Sequence, residues 1–213
     1  MERIGKSTIV GCLMLCFSGL YAARPFATDD AGTVTQGMHE LEVGIDFWSE
    51  EASLGLSFKH GLTDRMDIGV GIGRTLAPEE AAEFEKAELG MKFSIIPDFI
   101  AFSANGSFGH EEYFLNGIIT RNVGPVEIDA NLGYETDFTG DEEGTVIYSA
   151  AAIFSGNSYA FGAEISGDKD GFGYWLIGGR YFFIEGFAVD AGVAGGFEDD
   201  PMTTATAGIH YEF

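Results

Sequence analysis

Beyond its sixteenth residue the chain contains no cysteine, which removes disulfides, thiolate nucleophiles and thiolate metal ligands from nearly the whole of it. Bases are scarce too. Lys and Arg number 11 against 34 Asp and Glu, giving a formal charge of −23. Phosphate contacts need clustered Lys and Arg, so nucleic acid is excluded as a partner. Proline is rare at 5 residues, and past the first two dozen positions no apolar run reaches the ~20 residues of a membrane-spanning helix. High net charge in an apolar-poor chain would mean disorder, yet 46% of residues are hydrophobic and 19 are Phe. The chain folds, and its 31 glycines must find places in that fold.

The first 23 residues stand apart. Arg3 and Lys6 precede an almost uncharged apolar run from Ser7 to Tyr21, followed by the small residues Ala22 and Ala23. This is the layout of a secretory signal peptide, with cleavage expected near Ala23. Leu13-Met14-Leu15-Cys16 is rejected as a lipoprotein site because Leu15 is too bulky before the cysteine. Both cysteines therefore leave with the signal. With one acid against two bases, its loss makes the remainder still more negative.

After Gly37 the side chains alternate. His39-Glu40-Leu41-Glu42-Val43-Gly44-Ile45-Asp46-Phe47 sets Leu, Val, Ile and Phe on one side and acids and glycine on the other. Met66 to Gly73 and Val126 to Tyr134 repeat the pattern. Period two means strands. About twelve such runs occur, near 39–48, 52–62, 66–76, 86–96, 99–108, 112–123, 126–137, 145–154, 159–167, 172–183, 187–197 and 203–213. Those near 112–123 and 145–154 alternate least cleanly. An even count of ~10-residue strands is what a bacterial membrane barrel requires. Tight turns at 63–65, 97–98, 124–125, 155–158 and 184–186 alternate with mostly longer, more charged connections, as in such barrels.

One parity carries Leu54, Leu56, Phe58, Ile68, Val70, Ile72, Leu89, Met91, Phe93, Ile209 and Tyr211; the other carries Ser57, Lys59, Asp67, Glu88, Lys92, Glu127, Asp129, Glu164, Asp190, Thr206 and His210. Alternation alone does not say which face is inside. The glycine-rich polar face and the aromatics near strand ends (Tyr113, Tyr134, Tyr148, Tyr159, Trp175, Tyr181 and Phe183) favour a membrane barrel over a soluble sandwich. Ala205, Ala207, Ile209, Tyr211 and Phe213 share a face, and Tyr211 with Phe213 resembles the assembly signal of bacterial outer-membrane barrels. The expectation is an all-β, transmembrane, antiparallel up-and-down β-barrel over 39–213 in the bacterial outer membrane. Residues 24–38 precede it, either as a plug within the lumen or as a free periplasmic lead.

Arg24-Pro25-Phe26-Ala27-Thr28-Asp29-Asp30-Ala31-Gly32-Thr33-Val34, followed by Gly37 and Glu40-Leu41-Glu42-Val43-Gly44, resembles the start of the family called MetA-pathway of phenol degradation proteins, described as transporters. The run Gly61-Leu62-Thr63-Asp64-Arg65-Met66-Asp67-Ile68-Gly69-Val70-Gly71 is similar to that family's second recurring stretch. The resemblance implies an outer-membrane barrel concerned with solute passage and brings no catalytic residues.

Candidate lumen-lining residues are Glu42, Asp46, Asp67, Glu88, Lys92, Glu127, Asp129, Glu164, Arg180, Asp190 and His210, with Lys59, Lys86 and Glu135 beside them. Arg180 and Lys92 are the expected anchors of a charged network that either lines an open pore or fills the lumen. A second set of acids, including Glu50, Glu51, Glu79, Glu80, Glu83, Glu85, Glu111, Glu112, Asp141, Glu142, Glu143, Asp168, Asp170, Glu198, Asp199 and Asp200, falls in connections at one rim. That rim is a solvated surface, a mouth that concentrates cations, or a set of divalent-ion bridges to lipopolysaccharide. Asp141-Glu142-Glu143 lacks EF-hand spacing, and no metal or cofactor site is expected. His39, His60, His110 and His210 are scattered, with only His110 near a serine and acids (Ser107, Glu111, Glu112), so no enzyme is expected. Trp48 and Trp175 are expected as interface anchors. The functional expectation is passage of small solutes, cations or neutral aromatics, the alternative being a non-conducting structural or surface-interaction barrel. Expected partners are outer-membrane lipid and lipopolysaccharide, the barrel-assembly machinery and the solute.

Overall fold

The computed structural model describes residues 24–49, 51–78, 82–84, 87–108, 112–137, 144–197 and 203–213. The leader therefore lies outside the described residues, as do Lys86, His110, Glu111, Asp141 to Glu143 and Glu198 to Asp200. Alternating sequence becomes twelve antiparallel strands: β1 His39–Trp48, β2 Glu51–Thr63, β3 Met66–Ala77, β4 Glu88–Ile96, β5 Ile100–Ser107, β6 Tyr113–Val123, β7 Val126–Thr136, β8 Thr145–Ser155, β9 Tyr159–Asp168, β10 Gly171–Ile184, β11 Phe187–Gly196 and β12 Thr203–Glu212. Each pairs with its sequence neighbours, and β1 pairs with β12, so the sheet is a closed barrel with no free edge. Closure gives every strand a hydrogen-bonded neighbour on both sides, the condition for a β-structure in lipid.

The seam is set by the last residue. His39 N donates to Phe213 O at 2.7 Å and Phe213 N to His39 O at 2.9 Å. Even strand number puts Met38 and Phe213 at one rim, called proximal here, together with the tight turns. Gly124 and Gly186 occupy positive φ there (61° and 76°), which glycine adopts without strain. Trp48 and Thr203, at the other ends of the first and last strands, lie at the opposite, distal rim.

Polarity is inverted relative to a soluble barrel. Leu56, Phe58, Val70, Ile72, Leu89, Met91, Ile119, Ile128 and Ile209 are exposed on the outside. Asp67, Lys92, Asp129, Glu164 and Asp190 are buried inside. An apolar outer wall around a polar interior is the transmembrane-barrel arrangement. At the proximal rim the outward rings form a contiguous band: His60, His39, Phe213, Tyr211, Phe187, Phe183 and Tyr181 follow one another with centroid separations of 4.6, 5.3, 5.1, 6.2, 6.1 and 4.9 Å. Aromatic girdles at a membrane interface have this form. His39 and His60, far apart in sequence, thus meet on the outer face, Nδ1 to Nδ1 at 3.2 Å. Trp48 departs from expectation. It shares the inward parity of Glu42 and Asp46, and its indole N–H donates to Glu51 at 2.7 Å.

Candidate solute path and the segment inside it

A barrel wall with acids facing inward must satisfy them, because a buried carboxylate without partners is costly. Residues 24–36 supply many of those partners. The segment runs past the inner faces of most of the strands and is held by its backbone as much as by its side chains. Arg24 lies against β12 and β1: its guanidinium bonds Thr206 and is 3.5 Å from both Asp46 and Asp190. Arg180 of β10 donates to the Arg24 carbonyl at 2.7 Å and pairs with Glu42 at 3.3 Å. Glu164 of β9 accepts the backbone N–H groups of Ala27 (2.9 Å) and Thr28 (2.8 Å). Asn131 of β7 bonds Asp29 in both directions, accepting its N–H and donating to its carbonyl, each at 2.8 Å.

The far half of the segment is fixed the same way. Lys92 of β4 pairs with the Asp29 carboxylate at 2.6 Å and donates to the Asp30 carbonyl at 3.1 Å. Thr120 of β6 accepts from Ala31 N at 2.8 Å and donates to Asp129 at 2.6 Å. Asp67 of β3 accepts from Val34 N at 2.9 Å. Gly37 N then bonds Gly61 O at the proximal rim, where the segment joins β1. Charge-assisted bonds of this kind are the stronger ones.

Apolar contacts match the polar ones. Phe26 packs on Leu176 and Ala194, with Ile153 and Tyr174 against them. Ala31 packs on Ala101 and Ile118. These inward apolar residues interrupt the polar face where the segment passes. Glycine makes room for the bulkier groups: a Cβ at Gly44 would lie 2.0 Å from the Arg24 guanidinium carbon, and one at Gly178 would lie 2.6 Å from the Pro25 ring.

The structure thus brings together Glu42, Asp46, Arg180, Asp190 and His210 around Arg24, with His210 Nδ1 3.1 Å from Glu42. It sets Asp67, Lys92, Asp129 and Glu164 one after another along the segment. Glu88, Glu127 and Glu135 share the inward parity and are half-buried. Lys59 pairs with Glu40 at 2.6 Å. Sequence reasoning missed Glu40, Asn131, Thr120 and the segment's own Arg24 and Asp29. The signal for the last two was there: a cation and an acid in a segment long enough to reach inward. Of the four histidines, His39 and His60 face outward and His210 is held by Glu42, while His110 lies outside the described residues.

Among the described residues, acids on this wall outnumber bases, and each inward base has an acid partner. Lys59 has Glu40, Lys92 has Asp29, Arg180 has Glu42, and Arg24 has Asp46 and Asp190. By formal charge the described inner wall is therefore net acidic.

No family model matches the chain, and no curated protein does. Solved structures do. The KdgM porin in complex with disordered oligogalacturonate aligns with a TM-score of 0.64 at 9% identity, over 82% of this chain and 99% of that one. The Acinetobacter baumannii outer membrane protein Omp33 aligns with a TM-score of 0.56 at 12% identity, over 85% and 100%. The Ralstonia pickettii toluene transporter TbuX aligns with a TM-score of 0.52 at 8% identity, over 86% and 91%. At such identities the likeness is one of fold: this chain has the closed-barrel fold of bacterial outer-membrane proteins.

Proposed function

We propose that the chain is an outer-membrane porin-like transporter for small solutes, cations or neutral aromatic compounds in preference to anions, with residues 24–36 as a plug that narrows its lumen. The observation that carries this reading is the inner wall, where each base is committed to an acid and further carboxylates remain. An anion entering would find no free cation among the described residues of that wall. The oligogalacturonate of the KdgM complex is a polyanion, so this wall favours a different cargo. Sharing a fold with a toluene transporter supports the aromatic arm.

Export by the signal at 1–23, with cleavage near Ala23, belongs to the same reading. So does insertion by the barrel-assembly machinery through Tyr211 and Phe213, whose stacked rings face outward beside the seam. At the distal rim the acids would meet lipopolysaccharide through divalent ions. A second reading, a non-conducting structural barrel, rests on the number of bonds that hold residues 24–36 inside.

The test is current across a planar bilayer holding the refolded mature protein under a salt gradient. Discrete steps with a cation-selective reversal potential are expected. An anion-selective potential would overturn the assignment of cargo. A silent bilayer, with folding verified by heat-modifiable gel mobility, would leave the structural barrel.

A further inference from the structure

The plug segment has one end at a rim and the other inside the barrel. Downstream it leaves at the proximal rim through Gly37, whereas upstream Arg24 lies against Gly44 and Gly208, midway along β1 and β12. The next two residues are seated as closely. A Cβ at Gly178 or Gly192 would lie 2.6 or 3.4 Å from the Pro25 ring, and Phe26 is only 5% exposed. Whatever precedes Arg24 in the chain must therefore start from the middle of a lumen with an acidic wall. The sequence there is unsuited to it. Ser7 to Tyr21 is an almost uncharged apolar run, and laying it along charged side chains would take away their water without supplying partners.

The charges around Arg24 do not balance. Glu42, Asp46 and Asp190 supply three carboxylates, against the two guanidiniums of Arg24 and Arg180. His210 reaches Glu42 at 3.1 Å, a bond that a neutral imidazole also makes, and the neighbouring Glu40 and Lys59 cancel each other. Glu42 is 2% exposed and Asp190 5%, yet Glu42 Oε2 and Asp190 Oδ2 have no hydrogen-bond partner among the described residues. A buried carboxylate short of a cation is costly. Arg180 Nη2 bonds both the Arg24 carbonyl, at 2.7 Å, and Glu42, at 3.3 Å, so the first peptide group of the segment stands beside that carboxylate.

We propose that cleavage of the Ala23–Arg24 bond is the step that lets the plug seat, and that the α-ammonium it frees is the third cation of the cluster formed by Glu42, Asp46 and Asp190. This rests on the reading of residues 1–23 as a signal cleaved near Ala23. Water adds across the Ala23–Arg24 peptide bond: its hydroxyl completes the Ala23 carboxyl group, and one hydrogen goes to the Arg24 nitrogen. The proton shed by the new carboxyl group makes that amine an ammonium at neutral pH. A neutral amide with one donor thus becomes a cation with three. The uncleaved chain leaves the cluster one charge short and the plug outside, whereas the cleaved chain brings the missing charge in on its own end.

The experiment compares two refolded chains, one beginning at Arg24 and one carrying a short Gly-Ser extension before it. Acylation of the N-terminal amine at neutral pH is followed by mass spectrometry of the first peptide. In the chain that begins at Arg24, the amine of the folded, heat-modifiable barrel reacts about a hundredfold more slowly than in urea. Equal rates would overturn the proposal. In the extended chain, hydrogen exchange at the Ala27 and Thr28 amides, which Glu164 holds, is about tenfold faster than in the parent. Unchanged exchange there would mean that the segment seats without a terminus at Arg24, and would also overturn it. If the extended chain fails to fold, the acylation rates decide alone. The mass of the protein exported in cells tells the two failures apart. A first residue other than Arg24 sinks the cleavage reading and the proposal with it, whereas an exposed amine on a chain that does begin at Arg24 sinks the proposal alone.

Discussion

Gly44 on β1 and Gly55 on β2 are direct register partners on the inner wall, and their surroundings are opposite. A Cβ at Gly44 would strike the Arg24 guanidinium, whereas one at Gly55 would meet nothing within 4 Å. At the height of Gly55 the plug segment stands away from the wall, though it meets the same strand again at Gly61. The lumen is thus filled unevenly. Around β1 and β9 to β12 it is packed by Arg24, Pro25 and Phe26, while the Gly55 position looks onto unoccupied volume. The difference teaches that glycine serves two purposes on one wall. At Gly44 it admits a neighbour, and at Gly55 it leaves space unfilled.

The largest expected effect comes from the filled side. Lys92→Met leaves the buried Asp29 carboxylate without its cation and destabilises the barrel by about 3–5 kcal/mol, read from urea unfolding in vesicles. A loss below 1 kcal/mol would mean that the segment is not seated. On the lipid-facing side, Val70→Arg costs about 2–4 kcal/mol in the same assay, because its side chain is 48% exposed midway along β3 on the outer wall. If a soluble assembly tolerated that arginine, the membrane assignment would fail.

The glycine pair gives the sharpest contrast. Gly44→Ala displaces Arg24 and costs about 1–3 kcal/mol, as overpacking does. Gly55→Ala stays within about 0.5 kcal/mol of the parent. Equal costs at the two positions would erase the distinction between filled and open wall. Glu164→Gln keeps one acceptor for the Ala27 and Thr28 amides but loses its charge, for about 1 kcal/mol, a smaller loss than at Lys92 or Val70. It also weakens cation selectivity, seen as a reversal potential shifted toward zero.

Much of the fold was legible because lipid imposes a uniform rule. Outward side chains had to be apolar and inward ones polar, so strand limits such as 126–136 and 187–196 fell within a residue or two of the alternating runs. The course of residues 24–36 was not legible, since its partners come from strands far apart in sequence. A trace of it was present. The runs near 112–123 and 145–154 alternate poorly because Ile118 and Ile153 point inward, where Ala31 and Phe26 pack against them. Impurity in the polar face marked where another piece of chain lands. Which acid takes which base was invisible, because pairing depends on register and on the height of the segment. Trp48 differs for a simpler reason: an aromatic at a strand end suggested the girdle, while it shares the parity of Asp46 and bonds Glu51.

Residues 24–36 lie inside the barrel, and a cross-link tests this most directly. Without its first 23 residues the chain has no cysteine, so Ala31→Cys with Ala101→Cys introduces the only pair, at two fully buried alanines of one packed cluster. The expected result is a disulfide that forms under mild oxidation in the folded, heat-modifiable species. Two free thiols that both label readily from solvent in that species would contradict the account.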